Sequence, residues 1–129
     1  MVNMKHIEQT YVINAPVADV YQALTNAEIA EKWGAGPAKI DPQEGGGYSF
    51  WGGDIQGTFT KLVPYELIEQ DWYCHDNPTW KNSVVFTFEN DGSLTKVRMV
   101  YSGDILDEQK DIKDWQVYYF DPIKKLLEQ

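Results

Sequence analysis

At 129 residues and 14.8 kDa, the chain has the length of a single domain and can bury a core without disulfide or metal staples. Twenty acidic residues against 11 basic ones leave a formal charge of −9, which excludes nonspecific binding to nucleic acid or anionic lipid, since both need basic surface. The lone cysteine, Cys74, excludes an intramolecular disulfide and fits a reducing cytoplasm.

Aromatic residues are abundant for so small a chain: 5 Trp, 8 Tyr and 5 Phe. No apolar run approaches the roughly 18 residues of a membrane-spanning helix, and Met1 to His6 lack a signal-peptide core. The expectation is one cytoplasmic domain over residues 1–129, monomeric or weakly homodimeric, with no membrane span.

A first strand is predicted over Ile7 to Ile13. Pro16 suits a first helical position, and Val17, Val20, Tyr21 and Leu24 recur at helical spacing. Thr25 followed by Glu28 has the pattern of a capping box, so a second short helix should run to about Trp33, with Gly34, Gly36 and Pro37 ending it. From Ala38 the pattern is β. Strands are predicted at Ala38–Asp41, Tyr48–Trp51, Thr58–Val63, Leu67–Cys74, Ser83–Glu89 and Thr95–Ser102. Turn chemistry separates them: Gly52-Gly53-Asp54, Pro64-Tyr65, Asn77-Pro78 and Asn90-Asp91-Gly92, the last a strong hairpin signal. Val84, Phe86 and Phe88 alternate on one face, as do Val97, Met99 and Tyr101, while Thr87, Glu89, Lys96 and Arg98 occupy the other, so one sheet face is buried.

The segment Asp107 to Gln129 is predicted helical. Ile112, Trp115, Tyr119, Ile123 and Leu126 form one apolar stripe. Acids at its start and Lys124 and Lys125 at its end complement the helix dipole. Pro122 should kink the helix there, or restart it with Asp121 as cap. The assembly is α+β: a curved antiparallel sheet wrapped around a long C-terminal helix, with two short helices after the first strand.

That element order carries a closer likeness. Ile13-Asn14-Ala15-Pro16 leading to Ala23-Leu24-Thr25 and Trp33, then Gly46-Gly47, Gly57-x-Phe59 and Val63-Pro64-Tyr65-Glu66, then the hairpin from Val84 to Gly103 and the closing Trp115–Leu127 helix, together resemble the family of activators of the ninety-kilodalton heat-shock chaperone ATPase. That family sits in the START-like, birch-pollen-allergen-like (SRPBCC) superfamily of helix-grip folds. Tyr65 and Tyr101 stand where the family usually has proline and histidine. The resemblance implies a cavity between helix and sheet. Superfamily relatives hold lipids, hormones or polyketide-like molecules there, some are cyclase- or hydrolase-type enzymes, and chaperone activators are protein-interaction modules.

The residues themselves support such a cavity. By alternation and helical stripe, Phe86, Phe88, Met99, Tyr101, Trp115 and Tyr119 face one interior, and Trp33, Phe50 and Trp72 close it. Ligand cavities are mostly apolar with a few placed polar groups. Tyr101, Tyr118, Tyr119, Gln70 and the Trp indoles can supply these. The candidate ligand-binding set is therefore Trp33, Phe50, Trp72, Phe86, Phe88, Met99, Tyr101, Trp115, Tyr118 and Tyr119, holding a small, largely apolar molecule, lipid-like or aromatic. A filled aromatic core is the competing reading.

Catalytic and metal signals are weak. Adjacent residues of a strand point to opposite faces, so Cys74 and His75 do not pair readily as nucleophile and base. Only His6 and His75 offer imidazole, and no metal-ligand spacing occurs. The acids from Asp104 to Asp114 read as a solvated helix start. Asp71 is the one carboxylate to watch for acid–base work, with solvent exposure expected. There is no nucleophile elbow, P-loop or dinucleotide fingerprint, so no cofactor or catalytic residue is expected.

Overall fold

The computed structural model describes residues 4–74 and 82–128. Strand β1 (Met4–Ile13) is followed by helices α1 (Val17–Thr25) and α2 (Ala27–Lys32). Next come β2 (Lys39–Ile40), β3 (Gly47–Phe50), a 3-10 turn (Trp51–Gly53), β4 (Ile55–Val63), β5 (Leu67–Cys74), β6 (Asn82–Asp91) and β7 (Leu94–Asp104). The C-terminal helix has three parts: α3 (Glu108–Asp114), a π-helical stretch (Trp115–Phe120) and α4 (Asp121–Leu127).

The strands form one antiparallel sheet in the order β1-β7-β6-β5-β4-β3-β2. Because side chains alternate along a strand, the register puts matching residues on one face. Ile7, Tyr101, Val84, Gln70 and Phe59 pair in turn from β1 through β4, and all are buried. Met99, Phe86 and Ile68 form the neighbouring buried row. Polar residues lie on both faces of β5, but the inward set is now plain: Ile68 and Gln70 are buried, with Trp72 next in the alternation. The C-terminal helix covers this face through Trp115, Tyr119, Phe120 and Ile123.

Local chemistry shifts several boundaries. Pro16 is the extended N-cap of α1 rather than its first helical residue. The cap of α2 is Asn26, not Thr25. Asn26 has extended backbone, and its side chain accepts from the N–H groups of Glu28 (2.9 Å) and Ile29 (3.3 Å). Thr25 stays helical and buried, its hydroxyl donating back to Tyr21 O at 3.0 Å. Trp51 leaves the strand: its φ of 53° begins the 3-10 turn. The Asn90-Asp91-Gly92 hairpin forms as expected, with Asp91 facing Leu94 and Gly92 at φ 66°. The expected Asn77-Pro78 turn lies outside the described residues.

Pro122 does not simply kink the helix. It has no N–H to offer Tyr118 O, and the turn before it widens so that the Asp121 N–H donates to Gln116 O, five residues back. That wider turn lets two consecutive residues, Tyr119 and Phe120, both point inward. Among the described residues, no helix is long and apolar enough to cross a membrane.

Candidate ligand-binding site

A pocket of about 350 Å³ opens where the C-terminal helix crosses one end of the sheet. β5 contributes Trp72 and β7 contributes Tyr101. The 3-10 turn and the start of β4 contribute Trp51, Asp54 and Ile55. The helix contributes Asp111, Asp114, Trp115, Tyr118 and Tyr119. Two other concavities, beside Lys32 and Lys125 and along β2–β3, are more open and have fewer aromatic walls.

The walls are a contiguous aromatic array. Trp115 lies 4.4 Å from Tyr119, 5.4 Å from Tyr101 and 5.8 Å from Trp72, measured between ring centroids. Trp51 meets Tyr119 edge-on at 5.4 Å. Its position is held twice over: its backbone N–H donates to Ala35 O and its indole N–H to Gly34 O, each at 2.8 Å. These bonds fix a bulky residue in the left-handed region, a conformation that persists only when its surroundings over-determine it.

Polar groups are few and placed. The Trp72 indole donates to the Tyr119 hydroxyl at 3.3 Å. The Tyr119 proton itself has no acceptor among the described residues. Burial pushes the Tyr119 hydroxyl well above its ordinary pKa, so it remains a neutral donor. Asn82 donates to Tyr101 Oη at 2.6 Å and accepts from the Asp104 N–H at 2.8 Å, fixing Tyr101 from behind. Burial also raises the Asp111 carboxyl above its usual range. Lys110 pulls it down, while Asp114 and Asp107 push it up.

Of the residues singled out in the sequence, Trp72, Tyr101, Trp115, Tyr118 and Tyr119 meet at this pocket. Trp33, Phe50, Phe86, Phe88 and Met99 do not line it; they are buried in the core. Trp33 donates its indole N–H to Ala23 O at 2.8 Å, Phe86 packs under Trp115 at 6.0 Å, and Phe88 packs on Tyr21 at 5.7 Å. Sequence reasoning missed Trp51, Asp54, Ile55, Asp111 and Asp114. A signal for the helix residues was present: Asp111, Asp114, Trp115 and Tyr118 have the i, i+3, i+4, i+7 spacing of one helical face.

Asp71 is exposed on the outer face, accepting from Thr58 Oγ1 at 2.9 Å, and His6 is exposed on β1. His75 and Asp76 lie outside the described residues. Among the described residues, no group of three or more His, Cys, Asp or Glu is placed to hold a metal ion.

Known proteins share both sequence and fold. An uncharacterized protein of Schizosaccharomyces pombe is 29% identical over 129 residues, covering 98% of this chain and 38% of its own length. The human activator of 90 kDa heat shock protein ATPase homolog 1 is 28% identical over 109 residues, 83% of this chain and 32% of its own. The chain thus spans about a third of the length of these relatives. The crystal structure of an HSP90 activator from Plasmodium falciparum superposes with a TM-score of 0.84 at 20% identity, covering 95% of this chain and 96% of that one, which supports the helix-grip fold. The family model described as activator of Hsp90 ATPase homolog 1-like protein matches residues 14–128, so the chain belongs to that family.

Proposed function

We propose that this domain binds a small, largely apolar, aromatic or lipid-like molecule in the pocket at Trp72, Trp115 and Tyr119. The observation that carries this reading is the convergence of aromatic side chains from β5, β7, the 3-10 turn and the helix around one opening of about 350 Å³. Pockets of about 300–1,000 Å³ with apolar walls and a few polar groups are the usual form of small-molecule sites. The test is an amide and indole NMR titration against fatty acids, flavonoids, sterols and polyketide-like aromatics. Saturable shifts centred on Trp72 and Trp115 support the reading. Shifts from none of these classes would overturn it.

A cyclase- or hydrolase-type enzyme using the same pocket would need a titratable group there. Asp111 and Tyr119 are pocket groups whose proton affinity burial raises, so loss of turnover in Asp111→Asn would be its signature. A second reading, docking to a 90 kDa heat-shock chaperone, draws on the activity for which the human relative is named and on Val117 and Tyr118, consecutive exposed residues of the helix. Stimulation of the purified chaperone's ATPase, lost in Tyr118→Ala, would support it.

A further inference from the structure

The aromatic walls do not account for the charge at this pocket. Asp54 stands on one side, after the 3-10 turn, and Asp111 and Asp114 on the other, close to one helical turn apart. No Lys, Arg or His among the described residues lines the pocket. Lys110 bonds Asp114 at 2.7 Å. The Asp54 and Asp111 carboxylates have no hydrogen bond or salt bridge among the described residues.

Asp111 is half-buried beside apolar rings, so its carboxylate is incompletely solvated and gains from an opposite charge, and Asp54 stands exposed across the opening. The faces of Trp and Tyr attract cations as well. A metal ion does not fit, because the acids are not gathered into a chelating group. A fatty-acid carboxylate would meet the unpaired carboxylates of Asp54 and Asp111 at the rim. The Tyr119 proton, buried at the wall without an acceptor among the described residues, offers one further polar anchor to the body of a ligand.

We infer that the ligand is an organic cation: a flat apolar body against Trp51, Trp72 and Trp115, carrying an ammonium nitrogen at the Asp54–Asp111 rim. This rests on the pocket reading above and narrows its ligand class.

The test compares three probes that share one ring system and differ in the head group: 2-naphthylmethylammonium, 2-naphthylmethanol and 2-naphthoate. Binding is measured by calorimetry at neutral pH and located by the indole N–H signals. The ammonium should bind about tenfold more tightly than the alcohol, as a partly desolvated cation–π and carboxylate site requires, and the naphthoate most weakly. The Asp54→Asn/Asp111→Asn double variant should lose the preference for ammonium, read as the ratio of the ammonium and alcohol affinities within the same variant. Equal or tighter binding of the alcohol, or a preference that survives the double substitution, overturns the inference and leaves the pocket reading standing. Binding of none of the three overturns the inference, and the pocket reading falls with it only where fatty acids, flavonoids, sterols and polyketide-like aromatics also give no shifts.

Discussion

Asn82 occupies the space that a side chain on Gly103 would need. Its carboxamide accepts from the Asp104 N–H at 2.8 Å and donates to the Tyr101 hydroxyl at 2.6 Å, so the two strands that carry these residues are clamped at the floor of the pocket. Gly103 has φ of +133°, and a Cβ there would run into Asn82 Oδ1 and Cγ. Gly103→Ala should therefore destabilise the fold by about 1–3 kcal/mol from backbone strain together with the clash. Chemical denaturation measures this, and a variant as stable as the parent would contradict the clamp.

Tyr11 stacks face to face on Phe120, with centroids 3.9 Å apart and planes 9° from parallel. Its hydroxyl is buried with no hydrogen-bond partner among the described residues. An unsatisfied buried hydroxyl is a cost that removal relieves. Tyr11→Phe should be as stable as the parent or up to about 1 kcal/mol more stable, whereas Phe120→Ala should lose about 3–5 kcal/mol. A clear loss of stability in Tyr11→Phe would show that the hydroxyl has a stabilising role.

The same hydroxyl makes an alkaline prediction. Burial, then the charge of Asp121, raises Tyr11 from 10.0 to about 12. The unfolded chain gives up this proton first, so the contribution is complete below pH about 10 and is lost as pH rises through about 12. Tyr11→Phe should flatten the alkaline limb of the stability curve. Tyr21 and Tyr119, also raised by burial, keep the limb from disappearing. An unchanged limb in Tyr11→Phe would rule out this source.

Asp111 predicts the opposite end of the pH scale. Its carboxyl is raised, so the folded state holds the proton more tightly and stability falls as pH climbs through the carboxylate range. The groups around it are Lys110, Asp107 and Asp114 on its own helical segment, with Asp54 across the pocket. Cation binding should weaken as pH is lowered through the Asp111 titration, and should itself pull that titration down. Carboxyl-detected NMR titration with and without 2-naphthylmethylammonium checks both. An Asp111 midpoint unmoved by saturating cation would separate the carboxylate from the ligand.

Tyr118 separates binding from folding. It lines the pocket yet is 58% exposed, so Tyr118→Ala should change stability by less than about 0.5 kcal/mol while weakening ligand binding several-fold. Trp115→Ala, buried under the same pocket, should lose about 3–5 kcal/mol of stability as well. Unchanged affinity in Tyr118→Ala would remove the helix from the site.

Most of the architecture was legible because periodicity reports burial directly. The alternation of Val84, Phe86 and Phe88 against Val97, Met99 and Tyr101 placed the sheet's inner face, and the stripe through Trp115, Tyr119 and Ile123 placed the helix. The family resemblance at Ile13–Pro16, Val63–Glu66 and Val84–Gly103 fits the observed fold and family match. Phe120 was not legible, since a regular helical stripe omits it and only the π turn before Pro122 brings it inward. Trp51 was missed because a strand pattern gives no sign that a Trp will turn left-handed and bond back to Gly34. For Phe86, Phe88 and Met99, alternation distinguishes inside from outside but not cavity wall from filled core; ring packing places Phe86 and Phe88, and complete burial places Met99, in the latter.

Uptake of a ligand by the pocket can be read separately at each of the four described tryptophans. Trp51, Trp72 and Trp115 line the pocket, while Trp33 is locked in the core by its bond to Ala23 O. In an indole N–H NMR titration with an aromatic ammonium, the first three signals should shift saturably together and the Trp33 signal should stay in place. Absence of saturable shifts at Trp51, Trp72 and Trp115, or equal movement of Trp33, would contradict a binding site at this place in the fold.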